Sequence, residues 1–95
     1  MDMPKVAGAV KQEDFQIGLY RDLFGESFFI FYKDVPLWRT GVPLHELEIF
    51  LYDGSKAGET FTLMCKDCFD DYFAYGMWST LEEAMQWLEN PVQLY

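Results

Sequence analysis

An α+β domain, in which a four- to five-stranded mainly antiparallel sheet carries one C-terminal helix on one face, is the fold class that the sequence predicts. Three observations predict it. Short apolar stretches repeat with a period of two, turn-forming residues separate them, and a single well-capped amphipathic stretch closes the chain. The 95 residues are 51% hydrophobic and 24% charged, enough apolar surface for one core and too little chain for two. We therefore expect residues 1–12, which show no periodicity, to form a flexible N-terminal arm, and residues 13–95 to form a single α+β domain.

The first strand is "FQIGLY", where Phe15, Ile17 and Leu19 alternate with Gln16, Gly18 and Tyr20. In "RDLFGES", Asp22 and Gly25 supply turn chemistry. The next strand, "SFFIFYKD", is apolar on both faces, with Phe28, Ile30 and Tyr32 on one and Phe29 and Phe31 on the other. Such a strand is central in its sheet or meets a partner. "VPLWRTGVPL" holds Pro36, Gly41 and Pro43 and is expected to be a connecting loop, because proline removes a ladder donor. Its Trp38 either lids the core or, with Arg39, belongs to an interface.

Alternation resumes in "HELEIFLYD", with Leu47, Ile49 and Leu51 on the core side, and in "TFTLMCK", with Phe61, Leu63 and Cys65. The turn-rich "DGSKAGE" between them makes the pair a β-hairpin. "DYFAYGMW" reads as a further short strand in which Gly76 marks a bulge. In "STLEEAMQWLENP", Ser79 with Glu82 has capping-box spacing. Leu81, Ala84, Met85 and Leu88 form an i, i+3, i+4, i+7 stripe, and Asn90 and Pro91 end the helix.

Charge is unevenly divided. Residues 1–45 hold six acids and five bases, whereas residues 46–95 hold ten acids and two bases, so nearly all of the net charge of −9 lies in the second half. After Lys66 there is no basic residue. Such a segment repels nucleic acid and anionic membrane and attracts cationic surfaces, so direct nucleic-acid binding and membrane binding are not expected. The longest apolar run, "FFIFY", is far shorter than the roughly 20 residues of a membrane span, and the N-terminus lacks the features of a signal peptide. A cytoplasmic location is the expectation.

Cys65 and Cys68 in "LMCKDCFDDYF" have the spacing of half a zinc site, but no second pair accompanies them and His45 is the single histidine. Asp67, Asp70 and Asp71 surround them where a reactive thiolate needs cations. Structural thiols, no metal and no cofactor are the expectation. His45 would also have to serve as base for Ser27, Ser55 or Ser79 in any nucleophilic triad, and Ser79 is already explained as a cap. "GSKAGET" lacks the spacing of a phosphate loop. No enzyme is expected and no catalytic residue is assigned.

The acids and aromatics of the second half remain. Asp67, Asp70, Asp71, Glu82, Glu83 and Glu89, with Tyr72, Tyr75 and Trp78, are the candidate partner-binding residues. Lying on a strand end and the adjoining helix, their acids can form one continuous negative face; the alternative is that they only keep a small protein soluble. The function expected is that of a small acidic non-enzymatic binding protein that docks on a basic protein partner. An inhibitor of a nucleic-acid-handling protein fits, of the phage or plasmid anti-defence kind in which carboxylates stand in for phosphates. An immunity protein or antitoxin is the alternative. A subunit of a homo- or hetero-oligomer is the other, pairing through the Phe28–Tyr32 strand with Phe29, Phe31 and Trp38 as an apolar interface and a homodimer among its forms.

Overall fold

The computed structural model describes residues 4–41 and 43–93, with every side chain among them except those of Tyr20 and Asp22. Residues 1–3, 42, 94 and 95 lie outside the described residues. The class is α+β, but the strands number six and divide between two sheets. Strands β1 (Phe15–Asp22), β2 (Gly25–Tyr32) and β3 (Val35–Thr40) make one antiparallel sheet in the order β1-β2-β3. Strands β4 (Glu48–Asp53), β5 (Phe61–Lys66) and β6 (Tyr72–Trp78) make the second, in the order β4-β5-β6, and helix α1 (Leu81–Glu89) follows. The single sheet predicted from sequence is thus corrected to two. Alternation reveals strands, but it carries no information about which strands pair across a long connection.

The segment expected to be a loop contains β3. Its Pro36 lies opposite Phe31 beside a shift in register, and β3 is an edge strand, the setting in which a sheet tolerates proline. A two-residue turn of Lys33 and Asp34, with φ of 47° and 68°, joins β2 to β3. Two positive φ values in succession match the right-handed twist of the flanking strands.

β2 is central, which accounts for its two apolar faces. Ile30 and Tyr32 are buried in the core, while Phe29 and Phe31 lie half-buried on the outer face. Gly18 sits across from Phe29, and a Cβ there would come within 2.9 Å of the Phe31 ring. The glycine is therefore the seat of that ring.

From the second sheet, Ile49, Leu51, Leu63 and Cys65 enter the same core, with Ile49 paired to Cys65 and Leu51 to Leu63. Helix α1 covers it with Ala84, Trp87 and Leu88. Leu81 and Met85, expected on the buried stripe, are exposed; the i, i+3, i+4 face is rotated so that Trp87 becomes its centre. The Trp87 ring meets those of Tyr32, Tyr75 and Trp78 at centroid distances of 5.8, 5.8 and 5.4 Å, and its Nε1 donates to the Val92 carbonyl. The helix cap is Thr80 rather than Ser79: the Thr80 hydroxyl accepts from the Glu83 backbone N–H at 3.2 Å. Sequence spacing allowed either residue, because Glu82 and Glu83 follow in succession.

The described part of the expected arm is docked. Pro4–Val6 runs antiparallel to the outer edge of β4, with Asp53 N–H donating to Pro4 at 3.0 Å and Val6 N–H to Leu51 at 2.9 Å. The Gln12 carboxamide then donates to the Ile49 carbonyl at 2.6 Å and accepts from the Ile49 N–H at 3.4 Å, acting as a substitute peptide on the same edge.

Candidate functional site

The stretch "LMCKDCFDDYF" forms the end of β5, a turn and the start of β6. Cys65 points into the core, and burial, then the nearby Asp67 charge, push its thiol up to about 11. Cys68 is exposed in the turn, and both cysteines are free. A buried thiol raised in this way is held in its protonated, unreactive form at neutral pH. Among the described residues no three His, Cys, Asp or Glu side chains converge to hold a metal ion. His45 is exposed in a 3-10 turn, Leu44–Glu46.

Asp67 organises the turn. Its Oδ1 accepts from the backbone N–H groups of Phe69 and Asp71 at 2.8 and 3.0 Å. Asp70, held at φ 63°, pairs with Lys66 at 3.1 Å, and that hydrogen bond is the chief cause of a raised Lys66 pKa. This geometry throws the intervening rings outward: Phe69, Phe73 and Tyr72 are 74%, 54% and 42% exposed. Asp70 and Asp71 are exposed between them. Phe69 leaves the turn itself, whereas Tyr72, paired with Lys66, and Phe73, paired with Cys65, stand on opposite faces of β6, so this hairpin end exposes a ring on each side.

The other predicted residues separate from this hairpin end. Tyr75, 5% exposed, is a core residue, and Trp78 is half-buried against Trp87. Strand β6 bends its aromatics inward from Tyr75 onward, where a bulge interrupts the pairing. Glu82 and Glu83 are exposed in the first turn of α1, at the far end of β6. Six residue steps from Tyr72 to Trp78 span roughly 20 Å, more than twice the Debye length of about 8 Å at physiological salt. The acids therefore form separate patches, not one continuous face. Glu89 lies elsewhere again, sharing a surface depression with Lys11 and Lys33.

Phe29, Phe31 and Trp38 do not share a surface. The Phe29 and Phe31 rings, 5.7 Å apart, lie on the outer face of the first sheet. Trp38 pairs with Ile30 on the opposite face, and its ring reaches Tyr75 of the second sheet at 5.5 Å. The Phe28–Tyr32 backbone is paired to β1 and β3, so β2 has no edge to offer a partner strand.

Two features escaped the sequence reading. One is the β1–β2 hairpin tip, where Leu23 and Phe24 are 100% and 95% exposed in a position that usually holds polar or turn-forming residues. The other is a cavity of about 510 Å³ between β3 and β6, walled by Leu37, Trp38, Leu47, Phe73 and Tyr75 with Asp67 beside them. The tip was legible as two large apolar residues at a turn; the cavity was not, because it requires knowing that β3 is a strand.

What the fold and site define is a small α+β domain with an aromatic and acidic hairpin end. No known protein family, curated protein or solved structure matches the chain. No helix among the described residues is long and apolar enough to cross a membrane.

Proposed function

We propose that the chain is a non-enzymatic binding protein that engages a basic protein partner through the end of its β5–β6 hairpin. The observation that carries this reading is the exposure of Phe69, Tyr72 and Phe73 around Asp70 and Asp71. Rings supply desolvated contact area, and carboxylates steer a cationic surface and fix its orientation. The absence of any basic residue after Lys66 strengthens that steering.

An inhibitor is the form of binding protein that suits these properties, blocking a basic groove of a nucleic-acid-handling protein or neutralising a basic toxin. The roughly 20 Å between acidic patches favours a local plug with aromatic anchors over imitation of a long phosphate run, whose charges recur about every 1.7 Å along a duplex. The test is capture from a cell lysate on the immobilised protein. Asp70→Lys with Asp71→Lys is expected to abolish capture, Phe69→Ala to weaken it, and rising salt to release the partner. Capture that survives the double charge reversal would sink the reading.

A further inference from the structure

We infer that the cavity between β3 and β6 receives one large apolar side chain of a short extended segment on the basic partner, with a Lys or Arg of that segment set against Asp67. The inference rests on the binding role proposed above and names how the partner enters.

The first observation is which residues wall the cavity. A sheet face offers every second residue of a strand, whereas a sheet edge offers consecutive ones. Residues 37–41 and 73–75 are consecutive, and β3 and β6 are terminal strands of their sheets. The cavity is thus a slot between two sheet edges, whose backbone amides and carbonyls suit an extended chain. The edge of β4, by contrast, is covered by Pro4–Val6 and Gln12.

The second observation is the placement of the bulges. In β3 the register passes from Ile30–Trp38 to Phe31–Pro36, leaving Leu37 as the extra residue. In β6 it passes from Leu63–Gly76 to Met64–Ala74, leaving Tyr75. Both extra residues line the same cavity, and both are buried. Bulges re-aim side chains and interrupt a continuous ladder. Two of them facing each other build an apolar socket and limit how far an added strand can run, which selects a short segment with one anchor over a long one.

Charge selects the kind of segment. Asp67 is in the wall, Asp70 and Asp71 follow in the same turn, and the second half of the chain is strongly acidic. Arg39 also contributes to the wall, and its pairing with Phe29 directs its side chain toward the outer face of the first sheet, so Asp67 is the charged group on the other wall. A second copy of this chain, with a net charge of −9, is disfavoured. The volume of about 510 Å³ lies within the range of sites that take a compact apolar group.

The test uses the full chain and a random short-peptide display library. Enriched peptides are expected to carry an aromatic or leucine flanked by Lys or Arg. Gly41 is at the cavity wall, and a Cβ there meets nothing within 4 Å, so Gly41→Leu adds bulk at the slot without a clash against the fold. It is expected to weaken an enriched peptide roughly tenfold or more. Asp67→Asn, which keeps an acceptor for the turn, is expected to weaken it severalfold and to flatten its salt dependence. Circular dichroism confirms folding, and if Gly41→Leu disturbs it, Phe73→Ala serves in its place.

A library yielding no binder, or binders indifferent to Gly41→Leu or its replacement, overturns the inference. So do purely apolar binders indifferent to Asp67→Asn, which would make the slot a site for an uncharged ligand. If lysate capture is lost in the Asp70→Lys, Asp71→Lys protein while Gly41→Leu changes neither capture nor peptide binding, the proposed function stands and this inference alone falls.

Discussion

Tyr32 joins the two halves of the molecule with a ring and a hydroxyl. Its ring lies 4.8 Å from Phe15 and 5.8 Å from Trp87, and its hydroxyl donates to the Leu88 carbonyl at 2.9 Å. Lys33 Nζ donates to the same carbonyl at 2.9 Å, so a helix end with no basic residue of its own borrows a cation from the β2–β3 turn. Tyr32→Phe should cost about 1 kcal/mol and Tyr32→Ala about 3–5 kcal/mol, both read from urea unfolding. Burial, and secondarily Asp14, raises the Tyr32 phenol, and burial raises the Cys65 thiol from its ordinary 9.0 to about 11. Because both are acids whose folded pKa is raised, the unfolded chain loses these protons first. Their contribution to stability is complete below pH 9 and declines as pH rises toward 11. A thiol reagent at mildly alkaline pH should therefore modify Cys68 alone, with Cys65 reacting only after denaturant is added; mass spectrometry that finds both labelled in the folded protein would refute the burial argument. Of the two thiols expected to be structural, Cys65 is buried and Cys68 is exposed in the turn, a difference that their spacing alone does not reveal. The inward turn of Tyr75 was not legible either, because a bulge shifts the period of two without any mark in composition beyond Gly76.

At the scale of elements, the sequence reading located five of the six strands and the helix, and its misses have physical causes. Pro36 and Gly41 looked like breakers, yet proline is compatible with the edge strand β3 and Gly41 lies just past its end. The helix start was displaced by one residue, and the displacement is testable. Thr80→Ala should destabilise the protein by about 1 kcal/mol while Ser79→Ala should change it by only a few tenths. Equal losses would mean that the cap is shared. The turn between β2 and β3 offers a change in the other direction. Asp34, at φ 68°, occupies a conformation in which glycine has no Cβ strain. Asp34→Gly should raise the unfolding midpoint, by up to about 1 kcal/mol in stability, and a drop would show that its carboxylate matters to the turn.

For the whole molecule, the acidic excess foretold a surface property but misjudged its geometry. Asp67, Asp70, Asp71, Glu82, Glu83 and Glu89 read as able to share one face; folding distributes them over the β5–β6 turn, the helix start and the helix end. A net charge of −9 on 95 residues also opposes compaction. Added sodium chloride should therefore raise the melting temperature across the range in which the Debye length shrinks from roughly 30 to 3 Å, the opposite of its effect on partner binding. The two sheets were illegible for a different reason, since hydrophobic pattern defines faces and leaves the pairing of Thr40 with Phe28 undetermined. That division has a kinetic meaning. Each sheet joins strands that are consecutive in the chain, so its contacts close short loops, whereas the Tyr32 and Lys33 bonds to Leu88 span 56 and 55 positions. Local hairpins form early and such closures late. Removing the Tyr32 hydroxyl should accordingly steepen the rate of unfolding and leave the refolding arm of a chevron plot almost unmoved. The Leu88 carbonyl would then be the latch that sets how long the folded state lasts, with little say in how fast it is reached.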